Sequence, residues 1–276
     1  NLEKMGYTVL YVSPRADGIM YSKDISDLVD EETILVSIMH VNNETGLRLP
    51  IEQISKEVKQ KNIKTIVHVD GVQGFTKLPV QLPSNGSIDL YSFSGHKIHA
   101  LKGAGGLYIK NRTKITPLFF GGGQENGIRV GTQNTVGIAA LGVAAGEGYS
   151  SLLKNLQHYK VLREYLVMKL RGIDCVQINS NDCCVDYIVN FSVVSVKSEI
   201  MLHFLEEQGI YVSSGSACSS RDKNKKSSVL MAVNLSADVV DSAIRVSFCE
   251  ENTKEEIDML IKQIEIAVLR FAKNRR

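Results

Sequence analysis

The amino-acid sequence predicts an α/β protein, with a mainly parallel sheet in a large first domain, residues 1–150, and a smaller α+β domain, residues 151–276. Three observations lead there. Apolar runs at 33–41, 65–70 and 88–93 have the length of strands, and a helical pattern at 50–62 separates the first two. Each run ends in polar residues (Asn42/Asn43/Glu44, Asp70/Gln73 and Ser94/His96/Lys97), at the strand ends where open α/β sheets bind ligands. A long alanine-rich helical region, 134–171, then precedes a stretch in which short strands and helices mix.

Residues 2–6 read like a helix end stopped by Gly6, so the true beginning is expected to lie upstream of Asn1. Residues 7–12 form a strand candidate and 22–30 a short helix. The run 33–41 is nearly all apolar, as in strands of a parallel sheet covered on both faces. Pro50 opens a helix through 62 with Ile51, Ile54 and Val58 on one face, and 65–70 follows as a buried strand. This is the βαβ alternation, whose crossovers are right-handed. The short run 88–93 is broken by Ser94-Gly95-His96, and after more glycines a neighbouring strand runs over 105–109.

The long helix is expected to bend near Gly146 and Gly148 and to bridge the two domains. Beyond it come a strand at 187–193, a helix at 198–208 stopped by Gly209, and strands at 210–212 and 243–248. Thr253-Lys254-Glu255-Glu256 is a capping box, and Ile257, Leu260, Ile261, Ile264, Val268 and Phe271 mark the apolar face of a terminal helix.

Composition narrows the class. Apolar content of 43% with 22% charged residues fits a globular chain, and a net charge of +2 favours neither nucleic acid nor a membrane surface as partner. Five cysteines without a repeated C-x-x-C pattern argue against a disulfide framework or zinc site and for a reducing, cytoplasmic compartment. No apolar stretch is long enough to span a bilayer, and no metal site is expected.

Two residues carry candidate chemistry. Lys97 sits just past a strand end, held between two rigid elements. A stem fixed there and an amine partly out of water favour the neutral form that attacks a carbonyl to make a Schiff base. From this stretch alone a solvated lysine in a turn explains the residue equally well. Cys218 lies among small residues in 213–220 and is followed by cations over 221–226, a setting that favours a reactive thiolate. The strand-like neighbours of Cys175 and Cys249 fit inert thiols, and the vicinal Cys183-Cys184 has no assigned role. For 221–226 the reading is a solvated loop, with docking to an acidic partner as the alternative. The glycine-rich loop 119–132 lacks the lysine and Ser/Thr of a P-loop, so its glycines alone indicate no more than a flexible excursion.

Six ordered motifs, HVNNETG (40–46), HVDGVQG (68–74), SFSGHKIHALKGAGGLYI (92–109), GGGQENGIRVGTQN (121–134), SSGSACSS (213–220) and AIRVSF (243–248), resemble the pyridoxal-phosphate cysteine desulfurases of the nitrogenase and iron–sulfur-assembly type. The resemblance spans nearly the whole chain. It implies the fold type I of pyridoxal-phosphate-dependent transferases and a homodimer.

The resemblance also implies roles. Lys97 would bind pyridoxal 5'-phosphate covalently and move the substrate α-proton. Asp70 would pair with the protonated pyridine nitrogen, Gln73 with the ring oxygen, and Asn43 with both that oxygen and the substrate carboxylate. Ser94 and His96 would donate to the phosphate, and Thr132 would reach the phosphate of a neighbouring subunit. Arg245 would grip the carboxylate bidentately, which lysine does poorly. L-Cysteine would become L-alanine, leaving a persulfide on Cys218 for a sulfur-acceptor protein that serves iron–sulfur assembly or thiolation.

Three features depart from the family. Its phosphate-gripping turn and ring-stacking histidine fall upstream of the match, and His40 belongs to a different motif. Cys249-Glu250-Glu251 stands where glycine and a basic residue are usual. The chain also ends soon after the terminal helix, which leaves docking of a scaffold protein open. The alternatives are another enzyme of the same fold, an aminotransferase or selenocysteine lyase, and a non-catalytic interaction subunit.

Overall fold

The computed structural model describes residues 1–214 and 227–272. Cys218 and the cations of 221–226 therefore lie outside the described residues. Two compact units divide the chain. One comprises Val29–Val41 and Leu49–Gln157; the other comprises Asn1–Leu28, Asn42–Arg48 and His158–Arg276. The sequence reading places a single boundary at 150, whereas these units interleave, because the turn 42–48 and the first 28 residues join the C-terminal part.

The first unit is built on a four-stranded sheet. Strands β1 (Leu35–Met39), β2 (Ile66–Asp70) and β3 (Leu90–Ser94) run parallel, and β4 (Gly105–Ile109) closes the order β1-β2-β3-β4 antiparallel to β3. Between β1 and β2 lies a helix, Ile51–Lys61, whose Ile51, Ile54 and Val58 are fully buried, as the apolar spacing predicts. On β2, Val67 and Val69 are fully buried while Ile66, His68 and Asp70 are only half-buried, so one sheet face is covered more than the other. This corrects the expectation of two-sided burial for 33–41. Leu35 and Ser37 of β1 are exposed and share the less covered face with Ile66 and His68.

Asp89, at the entrance to β3, is 3% exposed and ties this unit together. It accepts a hydrogen bond from the Val67 N–H at 2.8 Å and pairs with Lys59 and Lys110. Burial alone would push its carboxyl up, but hydrogen bonds from Lys110 and Lys59 outweigh that and hold it below its ordinary value. Because the folded value is depressed, the stabilisation is present above the unfolded value of about 3.9 and is lost as pH falls through the folded one. Asp89→Asn, which leaves two largely buried lysines without a counter-charge, is expected to cost about 3 kcal/mol in urea denaturation at pH 7. The gap between wild type and variant should close as the pH is taken below about 4.

The second unit holds an antiparallel sheet in the order β5 (Val176–Ile178), β6 (Ile188–Val193), β8 (Ala243–Ser247), β7 (Ser213–Ser214). All six residues of β6 are buried. Its two buried polar residues are paired: the Asn179 amide donates to Asn190 Oδ1 and to Ser192 Oγ, both at 2.8 Å. The terminal helix Lys254–Phe271 begins with the predicted capping box at Thr253 and Glu256 and buries Ile257, Leu260, Ile261 and Ile264.

Several expectations are corrected. Residues 7–12 form no strand, since no neighbour offers them a ladder, and Leu10 and Tyr11 are exposed. The short helix near 22 ends at Ser26. The strand expected at 210–212 is instead Ser213–Ser214, the pair that meets Arg245 and Ile244. The long helix breaks at Ser151, into Thr135–Ser150 and Leu152–Leu170, and stays regular through Gly146 and Gly148. Gly148 answers a packing need there, because a Cβ would come within 2.7 Å of the Thr76 side chain. Three short elements carried no legible pattern: β5 and the helices Ser228–Ala232 and Ala237–Asp241. Among the described residues no single helix is long and apolar enough to cross a membrane.

Candidate functional site

In the parallel-sheet unit the site is built from strand ends. Asp70 is the last residue of β2 and lies in register with Ser92 of β3. Two residues beyond Ser92, β3 ends at Ser94 and turns directly into a single 3-10 turn, Gly95–Lys97. Adjacent parallel strands thus bring a carboxylate and an amine to the same end of the sheet. The Lys97 backbone is set by the turn and by buried Ile98 next to it, and the side chain is half-buried. Among the described residues no side chain or carbonyl pairs with its amine.

Close packing shapes the turn after Asp70. Asp70 Oδ1 accepts from the Val72 N–H at 3.0 Å, folding the carboxylate back over the turn. A Cβ at Gly71 would lie 2.0 Å from the buried Tyr91 ring, and one at Gly74 would lie 2.4 Å from His40 Nδ1. Only glycine allows the turn to sit this low, which explains both glycines of HVDGVQG. Phe75 then stacks on Phe93 of β3 with centroids 4.0 Å apart. The same turn carries Gln73, half-buried.

Ser94 Oγ and His96 Nδ1 are 2.8 Å apart, with the imidazole exposed. His40, by contrast, is 1% exposed and hydrogen-bonds the Tyr91 hydroxyl at 3.1 Å. Thr132 is exposed and lines a groove of about 540 Å³ with Phe119, Phe120, Gln124 and Arg129. A polar row crosses the less covered sheet face, where His68 Nδ1 meets Ser37 Oγ at 2.8 Å and its Nε2 meets Ser92 Oγ at 3.2 Å. Burial pushes the imidazole below its ordinary value, against the opposing pull of Asp70. Sequence reasoning quoted His68 within a motif and gave it no role, because strand register alone supplies its two partners.

Asn43 and Arg245 belong to the antiparallel-sheet unit. The turn 42–46 is shaped from within by Asn42, whose Oδ1 accepts from the N–H groups of Glu44 and Thr45. Four successive carbonyls then point outward, each to a donor of this unit. Asn43 O accepts from Arg245 Nη1 at 2.7 Å, Glu44 O from Asn190 Nδ2 at 3.0 Å, Thr45 O from Ser180 Oγ at 2.7 Å, and Gly46 O from the Val185 N–H at 2.8 Å. Arg245 Nη2 also donates to Ser213 Oγ at 3.1 Å. The guanidinium is thus oriented by two fixed acceptors, a geometry that a lysine ammonium would not reproduce.

The donor set fits a pyridoxal phosphate on chemical grounds. It offers an amine for the carbonyl, a carboxylate for a basic ring nitrogen, and hydroxyl and imidazole donors for an anion.

Comparison with known proteins identifies the family. Residues 1–260 match the family described as aminotransferase class-V. The cysteine desulfurase IscS of Dictyoglomus turgidum is 36% identical over 266 residues, covering 96% of this chain and 66% of that protein. A solved structure described as a NifS-like protein has a TM-score of 0.89 at 36% identity, covering 98% of this chain and 70% of that one. SspA, solved in complex with cysteine, has a TM-score of 0.74 at 30% identity, covering 90% of this chain and 68% of that one. The chain thus spans just under two thirds of the length of the curated relatives it matches, 66% in the first two.

Proposed function

Because the chain belongs to the class-V aminotransferase family, whose desulfurase members depend on pyridoxal phosphate, we propose that it is a cysteine desulfurase, converting L-cysteine to L-alanine and passing the sulfur to an acceptor protein. The observation that carries this reading is the placement of Lys97 and Asp70 at the same end of neighbouring parallel strands. Support for cysteine as substrate comes from the named activity of the relatives and from the cysteine bound to SspA.

Each residue has a task. Lys97 holds the cofactor and then moves the proton at the substrate Cα. Asp70 would keep the pyridine nitrogen protonated, and Gln73 and Asn43 would hydrogen-bond the ring oxygen. Ser94 and His96 would donate to the phosphate, with Thr132 serving the phosphate of a second copy in a homodimer. Arg245 and Asn43 bind the substrate carboxylate. When bound, pyridoxal phosphate supplies an electron sink for the pair left at the substrate Cα. The Cys218 thiolate attacks the substrate sulfur: the new S–S bond forms as the C–S bond breaks, its electron pair stays with the substrate carbon, and a proton there completes alanine. Cys218 keeps the persulfide until an acceptor of iron–sulfur assembly or thiolation takes its outer sulfur.

The test is the product. The chain supplied with pyridoxal phosphate and L-cysteine is expected to yield alanine and reducible sulfur in equal amounts. A keto acid in place of alanine would identify an aminotransferase, and no product with no covalent cofactor would identify a non-catalytic subunit.

A further inference from the structure

His68 stands on β2 two residues before Asp70, so both side chains project from the same, less covered face of the sheet. Its ring ties β2 to both neighbouring strands: Nδ1 is 2.8 Å from Ser37 Oγ of β1, and Nε2 is 3.2 Å from Ser92 Oγ of β3. Ser92 is also the residue in register with Asp70. Neighbouring strands lie about 4.8 Å apart, so a registered serine hydroxyl has the reach to donate to the carboxylate beside it. In this sheet it is held elsewhere. Asp70 Oδ1 accepts from the Val72 N–H, and among the described residues the hydroxyl of Ser92 is bonded to His68 alone.

The proton positions follow from the donors on offer. A serine hydroxyl carries one proton, and the half-buried Ser92 has no acceptor for it among the described residues other than His68 Nε2. Nε2 is then the bare nitrogen, and Nδ1 carries the N–H given to Ser37. Burial keeps the imidazole below its ordinary value against the pull of Asp70, so Nε2 accepts at neutral pH. The second oxygen of Asp70 accepts no hydrogen bond among the described residues.

We propose that His68 is a positioning residue for Asp70: by accepting the Ser92 proton at Nε2 it keeps that hydroxyl off the carboxylate and leaves the carboxylate whole for a protonated ring nitrogen. The proposal rests on the reading that Asp70 pairs with the pyridine nitrogen of pyridoxal phosphate. A carboxylate hydrogen-bonded by a neighbouring hydroxyl is a weaker base and holds a ring proton less tightly.

In equilibrium dialysis of the chain against pyridoxal phosphate, His68→Ala is expected to raise Kd about tenfold, the weight of one hydrogen bond to a charged group. Kd for the carbocyclic analogue, with C–H in place of the ring nitrogen, should stay within about twofold, because that ring gives Asp70 no proton to hold. In the loaded chain, the NMR signal of a cofactor isotope-labelled at the ring nitrogen should move in His68→Ala from the pyridinium towards the pyridine position. Removing the competing hydroxyl as well should undo the damage. His68→Ala with Ser92→Ala, and His68→Gln, whose carbonyl oxygen accepts in place of Nε2, are both expected within about twofold of wild type, as is Ser92→Ala alone.

Equal weakening towards both ligands in His68→Ala would show a purely structural role, and a double variant as weak as His68→Ala would clear Ser92. Either overturns the proposal, as would a His68→Ala chain that matches wild type. Should His68→Ala fail to fold, His68→Phe, which fills the space without an acceptor, takes its place alone and with Ser92→Ala. If Asp70→Ala lowers affinity for pyridoxal phosphate no more than for the analogue, the ring-nitrogen role of Asp70 falls first and the role of His68 with it. A wild type that binds neither ligand removes the cofactor reading and the proposal together. If wild type shows the expected binding differences yet makes no alanine, the desulfurase reading fails and the positioning of Asp70 by His68 stands.

Discussion

Replacing Lys97 with alanine is expected to abolish alanine formation, by at least about 10³-fold in kcat, and to leave no cofactor trapped on the chain by borohydride reduction. The expectation follows from two jobs assigned to one amine. As the covalent anchor, Lys97 has no substitute among its neighbours: His96 is committed to Ser94 at 2.8 Å and Asp70 is a carboxylate. As the group proposed to move the α-proton, it would contribute a general acid–base factor of about 10²–10⁴ by itself. The half-buried stem and the 3-10 turn that fixes its backbone make the amine position reproducible. Mass spectrometry of the reduced tryptic peptide containing residue 97 checks the first job, and alanine quantification the second. A reduced adduct on any other lysine would remove Lys97 from its role.

The second large effect concerns sulfur release. Cys218→Ala should lose it completely, while addition of L-cysteine still perturbs the visible absorbance of the bound cofactor. The two readouts separate because, in the proposed reaction, carboxylate binding by Arg245 and proton movement by Lys97 would precede attack on sulfur. Without a thiolate the C–S bond has no acceptor for its sulfur, since none of the other cysteines stands in such a setting. Burial pushes the Cys184 thiol up to about 11, which leaves almost no thiolate at neutral pH. Full sulfur release by Cys218→Ala would end the assignment, and mass spectrometry of the wild-type peptide for a mass increase of one sulfur supplies the positive control.

Legibility in the sequence followed the range of the interactions. The helix Ile51–Lys61 and the capping box at Thr253 were readable because their determinants lie within a few residues of one another. The false strand at 7–12 and the shifted one at 213–214 failed for the opposite reason. A strand exists only where a partner pairs with it, and the partner of Ser213 is Arg245, 32 residues away. The helix break at Ser151 was misplaced because glycines look like hinges in a sequence, whereas Gly148 is there to let Thr76 approach. Glu44 appeared only as one member of a polar cluster. Nothing local distinguishes it from a solvated acid, and its partner Ser227 is 183 residues away.

By itself the sequence determined the α/β class, the family resemblance and the chemical types on offer: an amine past a strand end, an acid at another, an arginine in a strand and a cysteine among small residues. Those properties are local, set by residue identity and spacing of apolar side chains. Tertiary structure alone decided which of these groups stand together. Parallel pairing of β2 and β3 brought Asp70 and Lys97 to one sheet end, and four carbonyls of the turn 43–46 found their donors in strands and loops more than a hundred residues on. Hydrogen bonds are short-ranged and directional, so their partners are known only when the chain has closed on itself.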